Sequence, residues 1–150
     1  MSSSGPSATL HELVEVHLRR IDQRYTSGRR AIVELLASFG QPMSISDIAF
    51  ADPEVPRSSA YRHLADLQTA GVVRRISAGD EFARFELTED LTHHHHHLLC
   101  TSCGQVTDVT PSHAFERTVA VMVGELTAQR GFRAISHALD VTGHCKNCQP

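Results

Sequence analysis

Tryptophan is absent from these 150 residues, and two Tyr and six Phe supply all the benzenoid rings. So few rings argue against large aromatic ligand cages and leave Leu, Val, Ile and Ala to fill the interior. Long apolar runs are missing as well. No segment approaches the roughly 20 residues that cross a bilayer. The opening "MSSSGPSATLHELVEV" has neither the basic start nor the apolar stretch of a secretory signal. The expected location is the cytoplasm. Charge of one sign is also scarce: a formal net charge of −3 supplies no global field to attract nucleic acid. Any such role needs a local basic face, for which Arg29, Arg30, Arg57, Arg62, Arg74 and Arg75 are available in the first half.

Cysteine is rare, but its four copies are ordered as two C-x-x-C units, Cys100/Cys103 and Cys145/Cys148. In a reducing compartment thiols serve metals more often than disulfides. Each unit offers two thiolates from one tight turn, and two such turns close a tetrahedral shell suited to zinc. Disulfides or redox chemistry are the alternative reading, although a redox motif needs one C-x-x-C and not two. A chain this short buries a modest core, which a structural ion would reinforce.

The hydrophobic pattern predicts helices over Thr9–Ile21 and Ser27–Phe39, and a short third helix opened by the capping-box sequence "SISD". A fourth starts near Ser58 and stops at Gly71. Alternation on both sides of "SAGD" in "VVRRISAGDEFARFEL" predicts a hairpin. Residues 1–8 have the composition of a disordered end. Helices two to four followed by a hairpin predict a winged helix-turn-helix over 1–87. Beyond it, 88–150 reads as a small α/β domain: a strand at "QVTDV", a helix from Pro111 to Arg130 and a last strand over Ala134–Thr142. The fold class is therefore α+β.

His93–His97 is a run of five histidines leading into the first C-x-x-C. If extended, it points His93, His95 and His97 to one face and His94 and His96 to the other. One strand can then serve two separate metal sites; the alternative is a solvated polar strand or loop with no ligand, since a His-rich tract is a compositional clue only. Imidazole suits zinc, iron, nickel and copper, whereas four thiolates favour zinc. A closed thiolate shell serves structure, and mixed His/carboxylate sites are free to respond to metal supply.

"YTSGRRAIVELL", "VPRSSAYRHLADLQTAGVV", "RFELT", "HHHHHLLCTSCG", "ISHALDVTGHC" and "CKNC" together resemble the ferric uptake regulator family of bacterial metal-sensing repressors, across nearly the whole chain. The resemblance implies a homodimer joined through its carboxy-terminal halves, reading an inverted repeat in double-stranded operator DNA when metal is bound. It implies DNA contacts by Tyr61 and Arg62, with Arg57 and Ser59 beside them, and structural zinc on Cys100, Cys103, Cys145 and Cys148. For the regulatory ion, Zn2+ or Fe2+, it implies Glu86, His95 and His97. The family's further donor has no counterpart in "GQPMS" or "GVVRR", leaving water, His93 or Glu81 to fill that position. An additional site maps onto His94, His96, Glu116 and His137.

A zinc hydrolase or a metal-delivery protein would also use histidines. A hydrolase needs an open coordination position and a placed general base; no H-E-x-x-H occurs, and neither alternative needs Tyr61-Arg62 or a wing. A repressor uses every feature and needs no membrane and no small organic substrate. Zinc regulation is the expectation, with iron or manganese sensing as the alternative.

Overall fold

The computed structural model describes residues 6–77 and 83–150, which form two compact units, Met1–His93 and His94–Pro150. In the first unit α1 (Pro6–Arg19), α2 (Ser27–Phe39), α3 (Ile45–Ala51) and α4 (Arg57–Thr69) precede β1 (Val73–Ile76) and β2 (Arg84–Leu87). Helix starts follow local chemistry. The Thr26 hydroxyl accepts from the Arg29 amide, and Ser44 and Asp47 exchange side-chain and backbone hydrogen bonds in a complete capping box. Gly71, after α4, takes a left-handed φ of 74°, a conformation that costs glycine little.

β1 and β2 pair antiparallel, Val73 opposite Leu87 and Ile76 opposite Arg84. Met43 and Phe85 exchange backbone hydrogen bonds of 2.9 and 2.8 Å, tying the segment before α3 to the wing. Helix α4 packs on α2 and α3. Val14, Leu18, Ile32, Leu36, Ile48, Leu64, Leu67 and Phe85 belong to one buried apolar cluster. Each such side chain, fully buried, contributes about 1.5–3 kcal/mol. Arg29 is buried too, its guanidinium 2.6 Å from Asp66 of α4.

The second unit contains β3 (His96–Cys100), β4 (Val106–Val109), α5 (His113–Ala128) and β5 (Asp140–Gly143). Its sheet runs β4-β3-β5, with β3–β4 antiparallel and β3–β5 parallel. α5 lies in the crossover between parallel neighbours, the connection such strands require. Its apolar burial is slight: Leu99, Cys100 and Val106 are buried, and no residue of α5 is.

Several boundaries differ from those expected. Residues 6–8, assigned to a disordered end, open α1; proline is tolerated there because the first helical amides have no intrahelical acceptor. The expectation for residues 1–5, and most of the "SAGD" turn, lie outside the described residues. α5 starts after Pro111 because the Ser112 hydroxyl accepts from the Phe115 amide at 3.2 Å. The last strand starts at Asp140 and not Ala134, since β3 offers ladder partners only from His97 to Cys100.

Candidate metal centres and nucleic-acid face

In the second unit, parallel pairing sets Cys100 opposite Gly143, and the Thr101 amide donates to the Gly143 carbonyl at 2.9 Å. This register brings the two C-x-x-C turns together. Gly104, at a φ of 73°, donates back to the Cys100 carbonyl, and Cys148 to that of Cys145. The four sulfurs lie within 4.8 Å of one another, and none is in a disulfide. Cys103 Sγ and Cys145 Sγ are 3.9 Å apart. A tetrahedral ion with bonds of about 2.3 Å holds sulfurs about 3.8 Å apart, so the cluster fits zinc. The Cys145 amide donates to Cys100 Sγ at 3.4 Å. That bond, with the Cys103 amide next, lowers the Cys100 thiol to about 6, against the effect of burial. Hydrogen bonds with Cys145 and Cys103 push the Cys148 thiol up to about 12. The Cys100 thiolate is thus favoured in advance, and an ion would supply the charge that Cys148 needs to ionise.

The histidine run divides as alternation requires, although the regular strand starts only at His96. His94 and His96 meet Glu116 of α5 and His137 of the irregular segment before β5, all ligand atoms within 4.8 Å. Glu116 sits centrally: His96 Nε2 is 2.8 Å from Oε1, while His94 Nε2 and His137 Nε2 lie 3.4 and 3.1 Å from Oε2. Burial would raise the Glu116 carboxyl, but the His96 hydrogen bond and the charges of His94, His96 and His137 hold it below its ordinary value. Ligands about 2.0–2.1 Å from a tetrahedral ion stand about 3.4 Å apart, so these spacings also fit a metal.

His95 and His97 gather with Asp108 of β4, again within 4.8 Å. His95 Nε2 is 3.8 Å from Asp108 Oδ2, and His97 Nε2 is 3.7 Å from Oδ1. His97, 1% exposed, also places Nδ1 2.9 Å from Asp140 Oδ1. An Nδ1–H donated to Asp140 leaves Nε2 as the coordinating nitrogen, the usual way a carboxylate fixes a ligand's tautomer. Sequence reasoning missed Asp108. Its signal was an acid two residues after the buried Val106, on the face of a strand whose partner carries the histidines; antiparallel pairing sets it opposite His97. His93 falls in neither cluster. Glu81 lies outside the described residues.

Glu86 is on β2 of the first unit, buried, with its carboxylate 2.5 Å from Arg74 Nε. On α4, Tyr61 is 61% exposed and Arg62 is exposed, as is Arg57, whose guanidinium donates to Ser46 Oγ at 3.0 Å; Ser59 is half-buried. Of the six arginines offered for a basic face, Arg29 turns inward to Asp66, Arg74 pairs with Glu86 and Arg30 with Glu34. Arg57, Arg62 and Arg75 remain exposed and without an acidic partner among the described residues.

A winged helix-turn-helix followed by a small α/β unit with clustered metal donors is the architecture of a winged-helix regulator. The chain belongs to the ferric uptake regulator family, whose model matches residues 20–142. Members are metal-responsive transcriptional regulators and not enzymes. The chain is 29% identical over 147 residues to the peroxide-responsive repressor PerR of Staphylococcus aureus (strain USA300), covering 93% of each. The Helicobacter pylori ferric uptake regulator, described as having three functional metal binding sites, superposes with a TM-score of 0.72 at 21% identity, covering 100% of this chain and 98% of that one. A zinc uptake regulator complexed with zinc and DNA gives 0.55 at 20% identity, covering 97% and 95%.

Proposed function

We propose that this protein is a metal-responsive repressor that binds an inverted-repeat operator as a homodimer and regulates zinc uptake. The observation that carries the reading is the division of one histidine run between two donor clusters, at the place where the chain passes from the first unit into the second. The thiolate cluster is assigned to structural zinc. The His95, His97 and Asp108 cluster is assigned to the sensed ion, with Glu86 as a further ligand brought by the first unit. Glu86 would then share its carboxylate between the ion and Arg74, which it meets through Oε1. Metal then favours the DNA-competent arrangement over others, a population shift driven by differential affinity. Tyr61, Arg62, Arg57 and Ser59 are assigned to the operator, and the exposed apolar residues Val121, Met122 and Leu126 of α5 to the dimer interface.

A second reading, iron or manganese sensing, is favoured by the donors themselves: His95, His97, Asp108 and Glu86 include two carboxylates and no thiolate, and hard oxygen donors suit those ions. Operator binding measured anaerobically with zinc, ferrous iron and manganese separates the two. His95→Ala should abolish the metal response while leaving the thiolate-bound zinc and the dimer intact. A normal metal response in that variant would move sensing to His94, His96, Glu116 and His137.

A further inference from the structure

Between α3, α4 and the wing lies a cleft of about 390 Å³, open to solvent, lined in part by Ser46, Arg57, Tyr61, Gln68 and Arg75. Its charge is unevenly compensated. Arg84, on the neighbouring strand, has Asp47 at 3.7 Å, and Arg74 has Glu86 and Glu89 at 2.5 and 3.8 Å. Among the described residues, Arg57 meets the neutral Ser46 hydroxyl and no acid, and the exposed Arg75 has no ion pair. Asp47, in the first turn of α3, already holds the Ser44 amide and hydroxyl at 2.8 and 2.6 Å as well as Arg84. Two positive charges therefore face one cleft, from opposite elements, in a chain whose net charge is −3.

The remaining lining suits a sugar-phosphate chain better than a closed anion pocket. Ser46, Tyr61 and Gln68 offer neutral donors, and Leu64 and Phe85 add apolar lining. Arg57 and Tyr61 are four residues apart on α4 and share a face, whereas Arg62 is about 100° further round the helix. One side of α4 is thus directed at the cleft and the next is left for base edges.

We propose that this cleft clamps one backbone phosphate of duplex DNA, gripped by Arg57 from α4 and by Arg75 from the wing. The role of Arg75 is positioning, without base discrimination. The proposal rests on the operator-binding reading of α4. A guanidinium held in place suits phosphate because its fork donates two parallel hydrogen bonds, and such contacts fix register while carrying no sequence information.

The test uses the metal-loaded full chain, a duplex enriched from random sequence on the parent protein, and a scrambled duplex, each titrated from about 50 to 200 mM salt. Arg75→Gln should weaken binding to both duplexes by a similar factor, about fivefold per clamp near 0.15 M salt. It should flatten the slope of log K against log salt by about one per clamp, and Arg75→Lys should restore that slope. In a scan of single neutral methylphosphonates, one position per half-site should weaken the parent yet leave Arg75→Gln indifferent. An unchanged slope in Arg75→Gln, or a loss confined to the enriched duplex, would overturn the clamp and leave operator binding standing. A parent that binds neither duplex with any metal would remove both.

Discussion

The two units solve the problem of cohesion differently. The first joins four helices and a hairpin through one apolar cluster, from Val14 and Leu18 to Phe85 and Leu87, all under a tenth exposed. The second buries two histidines, His96 and His97, almost as completely as it buries Leu99. Its larger apolar residues, Met122, Leu126, Phe132 and Ile135, are 62–92% exposed. On the proposed function, a unit with so little apolar burial and so many converging donors would draw stability from bound ions and from covering that face, since ligand binding to the folded state is itself folding free energy. The first unit needs neither.

The largest effect is therefore expected where metal and fold coincide. Cys145→Ser removes one of four thiolates from a type of site whose apparent zinc binding energy is about 10–16 kcal/mol in small domains. The variant should lose its tightly held zinc and its amide protection over β3, β4 and β5, while α2 and α4 exchange as slowly as before. Metal analysis with hydrogen exchange reads both. Normal zinc content with protected β3 would show that the second unit does not depend on the thiolates.

The reciprocal variant is Leu64→Ala. Leu64 is 1% exposed at the centre of the first unit's cluster, and truncating a buried Leu costs about 2–5 kcal/mol. The loss should appear in the first unit alone, with zinc content unchanged. If β3 and β5 lose protection to the same extent, the two units unfold as one and the contrast between them fails.

The first unit was legible in sequence because its rules are local. Period-3.6 apolar stripes, the "SISD" cap and the alternation in "VVRR" and "RFEL" each specify one element, and helix periodicity with a left-handed Gly71 closed α4 nearly where expected. In the second unit the donors were legible, but not all of their company. The spacing of the C-x-x-C turns and the alternation of His94–His97 are local patterns, whereas Glu116 and His137 were named only through the family resemblance; the structure gathers both with His94 and His96. Asp108 and Asp140 were missed because each meets His97 only through strand register, across 11 and 43 residues of sequence, and register is a tertiary outcome. The inward turn of Arg29 was missed for the same reason, as its partner Asp66 lies on another helix.

The smallest effect sharpens the contrast by pH. The Tyr25 hydroxyl lies 2.7 Å from His11 Nδ1, joining the end of the α1–α2 connection to α1, and Arg30 sits over its ring at 5.1 Å. Burial foremost raises its phenol to about 12, with Glu34 raising it further and Arg30 opposing. A folded-state value above the ordinary one of 10.0 means that the folded protein holds this proton more tightly. The stabilisation is then complete below about pH 10 and is lost as pH rises through about 12. Alkali acts in the opposite sense on the second unit, where deprotonated thiols are the better ligands. The metal-loaded protein, denatured by urea at pH values from 8 to 11.5, should weaken in the first unit before the second. Tyr25→Phe gives up one hydrogen bond, about 1 kcal/mol near pH 8, and should flatten the decline of the first unit above pH 10. An equally steep decline in the variant would assign the alkaline loss to other groups.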